Sequence, residues 1–206
     1  MAKTYGGIRE NAGGRPKKSE IPYSELAIEA LDYYADGNGY GVSYALRNDE
    51  NPYGEDALLM KGLDEATSRP LNKDYTLYRG VSAESILGKD VQFELVRYAL
   101  IHNDNSKMCI DALGKAKTNA LRTHTDKGYV STSTRNDIAE RFGTDQNVVL
   151  KIKADKGTKG IDFVNSKIVD NTHKGEKEVL LARGLHYKVK RLYAKNGIIY
   201  ADATIV

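Results

Sequence analysis

The sequence predicts an α+β fold on three observations: helical spacing runs from Ile21 for about fifty residues, strand-like segments crowd the later part of the chain, and no regular βαβ alternation links them. Ser24 can cap a helix whose apolar positions Leu26, Ala30, Leu31 and Tyr34 follow the 3.6-residue period. Gly37-Asn38-Gly39 ends that helix, and Leu58, Leu59 and Leu63 repeat the pattern over residues 57–66. Residues 75–78 read as a strand, 93–101 and 108–121 as two further helices, and 130–133 as a strand. Thr134-Arg135-Asn136-Asp137 has the spacing of a capping box that opens a short helix through Phe142. Strands follow at 148–153, 160–163 and 179–182, then a hairpin turning at Lys195-Asn196-Gly197.

Residues 1–20 differ from this pattern. Gly6-Gly7 and Gly13-Gly14, with Arg9, Arg15, Lys17 and Lys18 and few branched apolar side chains, describe a mobile basic tail. Gly14-Arg15-Pro16-Lys17 also resembles the core of an AT-hook, a minor-groove DNA binder. The expected organisation is a tail over 1–20 and a single domain over 21–206, its helical part reaching to about 74.

A chain of 206 residues with 40% hydrophobic side chains can bury a real core. Its 31 basic and 28 acidic residues leave a net charge of +3, which permits nucleic acid as a partner without implying it. The single cysteine, Cys109, excludes an internal disulfide. His102, His124, His173 and His186 lack metal-ligand spacing, so no metal is expected. There is no signal-like apolar core and no run long enough to span a bilayer, so cytoplasm is the expected compartment, with signal-independent secretion left open.

Three short segments carry chemistry. Leu77-Tyr78-Arg79-Gly80 ends an apolar strand in a planar guanidinium, suited to phosphate, followed by a residue without a side chain that lets a ligand approach the backbone. Ser131-Thr132-Ser133 supplies hydroxyls that can orient a carboxylate and contact a ribose. Glu176 and Glu178 would project together if their strand begins at or before Glu176, and paired carboxylates can divide labour between stabilising a cation and accepting a proton. Taken singly, each has an ordinary structural reading: a surface arginine before a turn, hydroxyls in a strand, a solvated Glu-Lys-Glu edge.

In this order the segments resemble the mono-ADP-ribosyltransferases with the Arg, Ser-Thr-Ser, Glu-x-Glu signature, in the arginine-directed type. The resemblance takes in Tyr40-Gly41-Val42-Ser43-Tyr44-Ala45-Leu46-Arg47 and the leucine-rich helix after Glu55, and Gly184-Leu185-His186-Tyr187-Lys188-Val189 downstream. It covers residues 24–206. It implies a split β-sandwich core with an N-terminal helical segment, and NAD as co-substrate. Arg79 would contact the phosphates and a ribose of NAD, and the backbone of Gly80 the nicotinamide amide. Ser131 would hold Glu178, while Thr132 and Ser133 shape the ribose pocket. Phe142 would lie against the nicotinamide or its ribose, unless it packs into the core. Residues 165–178 would present the acceptor.

The resemblance further implies a mechanism. Glu178 would stabilise the positive charge that develops on the ribose as neutral nicotinamide leaves, and Glu176 would bind an acceptor guanidinium and take its proton. The expected activity is transfer of ADP-ribose to an arginine of an intracellular protein, by an enzyme that could be phage- or prophage-encoded. RNA or DNA as acceptor, NAD hydrolysis without transfer, and a non-enzymatic NAD- or partner-binding module stay open. Gly128 stands where some relatives carry a polar residue, and the segment between Arg79 and Ser131 is long, with two helices of unread purpose.

Overall fold

The computed structural model describes residues 23–141, 147–166, 175 and 177–206. The basic tail, Phe142, Glu176 and most of the expected acceptor loop lie outside the described residues.

The helical segment opens with α1 (Glu25–Tyr33), capped as the sequence indicates: the Ser24 hydroxyl accepts the Ala27 N–H at 3.2 Å. A π-helical turn, Tyr34–Asn38, follows α1, and Gly37 at φ 84° breaks the helical path before α2 (Tyr40–Arg47). Helix α3 (Glu55–Thr67) starts two residues earlier than its leucine spacing suggests, and Glu55 and Asp56 sit in its positive first turn. Gly62 brings α3 hard against α1: a Cβ there would stand 2.5 Å from the Ala30 Cβ and 2.7 Å from the Leu26 carbonyl oxygen.

Strand β1 (Tyr75–Ser82) runs four residues beyond its expected end. Arg79 and Gly80 therefore lie inside a strand rather than at its end, because β4 (Asn147–Ala154) pairs with β1 along its whole length. Then come α4 (Ala83–Leu87), which apolar spacing over five residues is too short to reveal, and the expected pair α5 (Phe93–His102) and α6 (Lys107–Ala120). A second unread element, β2 (Thr123–Asp126), precedes β3 (Val130–Ser133) and α7 (Asn136–Arg141). The expected capping box does not form. The Thr134 hydroxyl donates to the Lys177 carbonyl at 3.4 Å, and the Asp137 carboxylate grips the Arg135 guanidinium. Residue 163 leaves the expected strand: β5 is Gly160–Asp162, and Phe163 begins α8 (Phe163–Ser166). Strands β6 (Glu178–Leu181), β7 (Leu185–Lys195) and β8 (Ile198–Ile205) complete the order. The β7–β8 turn has Asn196 and Gly197 at φ 52° and 77°, as the Asn-Gly signal requires.

Among the described residues the strands form one eight-stranded sheet in the order β2-β7-β8-β4-β1-β3-β6-β5. Strand β8 is internal, antiparallel to β7 and parallel to β4. The sheet is divided at β1 and β3, whose pairing is confined to Tyr78 opposite Ser133 among the described residues. One core lies between the five-stranded part and α4–α6, built on Leu77, Leu150, Ile152, Ile199 and Val189 with Val96 and Ala116. A second joins α1–α3 to the other part through Leu31, Leu63, Tyr129, Ile161 and Leu180. Asp64 of α3 secures that packing, accepting the Tyr129 hydroxyl at 2.8 Å and the Arg183 guanidinium at 2.7 and 2.9 Å.

Gly62→Ala should cost roughly 1–3 kcal/mol through overpacking at the α1–α3 contact and lower the calorimetric midpoint by several degrees. Gly114→Ala, at an exposed position of α6 with nothing within 4 Å, should instead raise it slightly. Equal shifts would show that close approach at Gly62 does not limit the packing.

Candidate functional site

The division of the sheet creates a cleft. Beyond the Tyr78–Ser133 pair, β1 stays with β4 while β3 stays with β6, and the gap of about 420 Å³ is walled by Arg79 and Gly80 on one side and by Ser131, Thr132, Ser133 and Glu178 on the other. Tyr40 of α2 and Ile138 and Ala139 of α7 close its ends. The residues singled out in β1, β3 and at Glu178 thus converge on one cavity. Phe142 and Glu176 lie outside the described residues.

Glu178 is 7% exposed and opens β6 directly opposite Ser133. Its Oε1 accepts the Ser131 hydroxyl at 2.5 Å, a diagonal contact across two paired strands. Ser131 and Ser133 point to the same face because they are two residues apart in a strand. The three hydroxyls do different things. Thr132 Oγ1 donates to the Val179 carbonyl at 2.5 Å and so clamps β3 to β6, while Ser133 Oγ accepts the Arg135 N–H at 3.0 Å and turns the chain into α7.

The two-residue period would set Glu176 beside Glu178 only in a strand that begins at or before Glu176, which lies outside the described residues. Strand β6 begins at Glu178, and Lys177 has φ 51°, a left-handed conformation that interrupts the extended path just before it.

Arg79 belongs to a charged cluster. Asp126, at the end of β2, accepts Nε and Nη2 of Arg47 at 2.8 and 3.3 Å and lies 3.7 Å from Nη1 of Arg79. Arg47 also donates to the Tyr129 carbonyl at 2.9 Å. Gly128 makes room for it: a Cβ there would stand 3.0 Å from the Arg47 Cζ and 2.9 Å from the Ser43 carbonyl oxygen. Nη1 of Arg79 is buried and has no hydrogen-bond partner. Burial lowers the Arg79 pKa from its ordinary value and Asp126 offsets part of that, leaving a cation with an unused donor. Arg79 lines the cleft, and its Nη1 makes no hydrogen bond although Asp126 stands 3.7 Å away, so the guanidinium keeps donors for an anionic group and the residues present fit a dinucleotide phosphate.

Two tyrosines frame the cluster. Tyr34, in the π-helical turn, feels the charges of both Glu178 and Arg79, and burial first and Glu178 second push its phenol up to about 12. Its ring occupies the space that a side chain at Gly39 would need, with Cδ2 only 1.9 Å from the Cβ position. Tyr187 is likewise pushed up to about 12 by burial and Asp126, and its ring stacks on His124 at 5.4 Å. Arg47, Asp126, Tyr34 and Tyr187 were not singled out in the sequence as site residues. The available signal was an acidic residue just before the glycine and tyrosine that lead into the hydroxyl strand. Among the described residues no group of three His, Cys, Asp or Glu could hold a metal ion, and no helix is long and apolar enough to cross a membrane.

The family model for ADP-ribosyltransferase exoenzymes matches residues 4–203. No curated protein matches the sequence. Among solved structures the fold is similar to an ADP-ribosyltransferase from Clostridium botulinum, with 23% identity over 91% of this chain and 89% of that one and a TM-score of 0.66. It is also similar to the Clostridium limosum C3 exoenzyme, at 22% identity over 91% and 88% and a TM-score of 0.68. A further structure, from S. aureus and solved with NAD, gives 19% identity over 91% and 90% and a TM-score of 0.62.

The phenols of the site make stability depend on pH in one direction. Tyr34 and Tyr187 bind their protons more tightly folded, with pKa about 12, than at the ordinary 10.0, so their contribution is complete below pH 10.0 and is lost as pH rises through about 12. Urea unfolding at pH 9 and pH 11.5 should show a marked drop at the higher pH, and Tyr34→Phe should make that drop smaller. A Tyr34→Phe profile parallel to wild type would mean that its phenol is not protected by the fold.

Proposed function

This chain belongs to the ADP-ribosyltransferase exoenzyme family, and we propose that it transfers ADP-ribose from NAD to an arginine of a target protein with release of nicotinamide. It is an NAD-dependent mono-ADP-ribosyltransferase, with NAD as co-substrate. The observation that supports the site assignment is the Ser131–Glu178 hydrogen bond at 2.5 Å in the same cleft as Arg79, whose Nη1 makes no hydrogen bond.

Under this reading Arg79 and Arg47 hold the pyrophosphate, two guanidiniums sharing one carboxylate and therefore retaining net positive charge for an anion. Gly80 offers its backbone to the nicotinamide amide. Ser131 fixes the Glu178 carboxylate, which stabilises positive charge developing on the ribose as the nicotinamide bond breaks, in a partly enclosed cleft where the interaction is stronger than in water. Thr132 and Ser133 contribute through the strand they shape more than through free hydroxyls. Phe142 is assigned to the nicotinamide side by the family resemblance alone, with packing into the core as its other reading. Glu176 binds the acceptor guanidinium and accepts its proton, a step needed because arginine stays protonated in water. The arginine specificity is supported by the Glu176-Lys177-Glu178 spacing in the sequence, and an intracellular target by the abundance of NAD inside cells.

Glu178→Gln keeps the shape and removes the charge, so NAD hydrolysis and transfer should both fall by about 100-fold or more, measured as nicotinamide release and label on the acceptor. Glu176→Gln should lose transfer while retaining hydrolysis. Undiminished turnover in Glu178→Gln sinks the catalytic assignment, and equal loss of both activities in Glu176→Gln removes its acceptor role. Asp126→Asn should act on the ground state, raising the KM for NAD about 10-fold with a smaller change in kcat, because it loosens Arg47 and Arg79 without touching Glu178. A change confined to kcat would contradict that placement.

A further inference from the structure

Helix α2 turns an aromatic face to solvent beside the cleft. The Tyr40 and Tyr44 rings, one turn apart, stack with centroids 5.9 Å apart and are 73% and 51% exposed. Tyr53, just before α3, is 88% exposed, and Leu58 in the early part of α3 is 55% exposed. Single exposed tyrosines are ordinary, but stacked rings next to a catalytic cavity offer large contact area at low conformational cost.

The charge on this stretch has one sign. Residues 34–58 contain Asp36, Asp49, Glu50, Glu55 and Asp56 against Arg47 alone, and Arg47 is turned inward onto Asp126. Lys127 pairs with Asp49. The Asp56 carboxylate lies next to Gly41, its oxygens 3.8 and 3.9 Å from where a side chain there would begin, so it flanks the tyrosine pair. Glu50, Glu55 and Asp56 are exposed and make no ion pair among the described residues. Negative ring faces bordered by unpaired carboxylates complement guanidinium groups, which stack on aromatic planes and pair with carboxylates. The same charge repels a nucleic-acid backbone.

We propose that the outer face of α2 and the start of α3 docks the acceptor protein and selects one in which further arginines surround the modified residue. Tyr40 belongs both to this face and to the cleft, so a chain seated on the face delivers a side chain to the cavity mouth while neighbouring arginines meet Tyr44 and Asp56. The inference rests on the arginine-acceptor reading.

The test compares a small acceptor, agmatine, with an arginine-rich polypeptide, protamine, using the full chain. Tyr44→Ala and Asp56→Asn should each raise the KM for protamine about 5- to 10-fold and leave NAD hydrolysis and transfer to agmatine within about 2-fold. Tyr44→Phe, which keeps the ring face, should behave as wild type. An unchanged protamine KM in both variants overturns the docking surface while the arginine reading stands. Equal losses with agmatine also overturn it, because the residues then act in the cleft. If the wild type hydrolyses NAD but labels neither probe, the arginine reading fails and the surface falls with it.

Discussion

A single backbone register pair, Tyr78 opposite Ser133, is the constraint on which the site depends. With more pairing between β1 and β3 the sheet would be continuous there and the cleft filled by ladder hydrogen bonds. With none, the wall that carries Arg79 and the wall that carries Glu178 would not share a frame. Each wall is instead made rigid by its other neighbour: β1 by the full length of β4, and β3 by four consecutive partners in β6. Arg79 and Gly80 on one side of the division and Ser131 and Thr132 on the other line the cavity.

Electrostatics reinforces that geometry. Asp126 holds Arg47 by two hydrogen bonds and stands within ion-pair distance of Arg79, so guanidiniums from the helical layer and from the five-stranded part meet at a carboxylate at the end of β2. One negative charge between two positive ones leaves the cluster cationic. Keeping a donor of Arg79 buried without a hydrogen bond costs about 1–3 kcal/mol, which binding an anion would offset. Gly128 and Gly39 serve the same arrangement by absence, the first giving room to the Arg47 guanidinium and the second to the Tyr34 ring.

Much of this was legible in the sequence wherever the signal is local. Ser24, the Gly37-Asn38-Gly39 break and Asn196-Gly197 act within a few residues, and each does what its chemistry dictates. Arg79, Ser131 and Glu178 were legible as segments because their order resembles a family, although nothing in their spacing reveals that Ser131 reaches diagonally to Glu178. The Arg47–Asp126 pair spans 79 residues and depends on long-range pairing that brings β2 beside β7 and α2 within reach, so no periodicity could disclose it. Strand β2 itself has four polar residues, and α4 has five in all; both are too short for pattern to separate them from loop. The Glu176–Glu178 pairing was conditional on a strand that begins at or before Glu176, and that residue lies outside the described residues, while β6 begins at Glu178 after a left-handed Lys177.

The placement of β8 bears on when the enzyme comes into being. This strand follows every other in the sequence yet lies inside the sheet, between β7 and β4. A nascent chain on the ribosome can close the α1–α3 layer early, but β4 and β7 have no bridge until β8 has emerged. Its pairing with β4 also requires a contact between residues about fifty apart, which is slow to find. The wall that bears Arg79 is thus completed after the residues on both sides of the cleft have been translated. Without Ile198–Ile205 no strand among the described residues joins β4 to β7, so the frame that holds Arg79 across the cleft from Glu178 is incomplete.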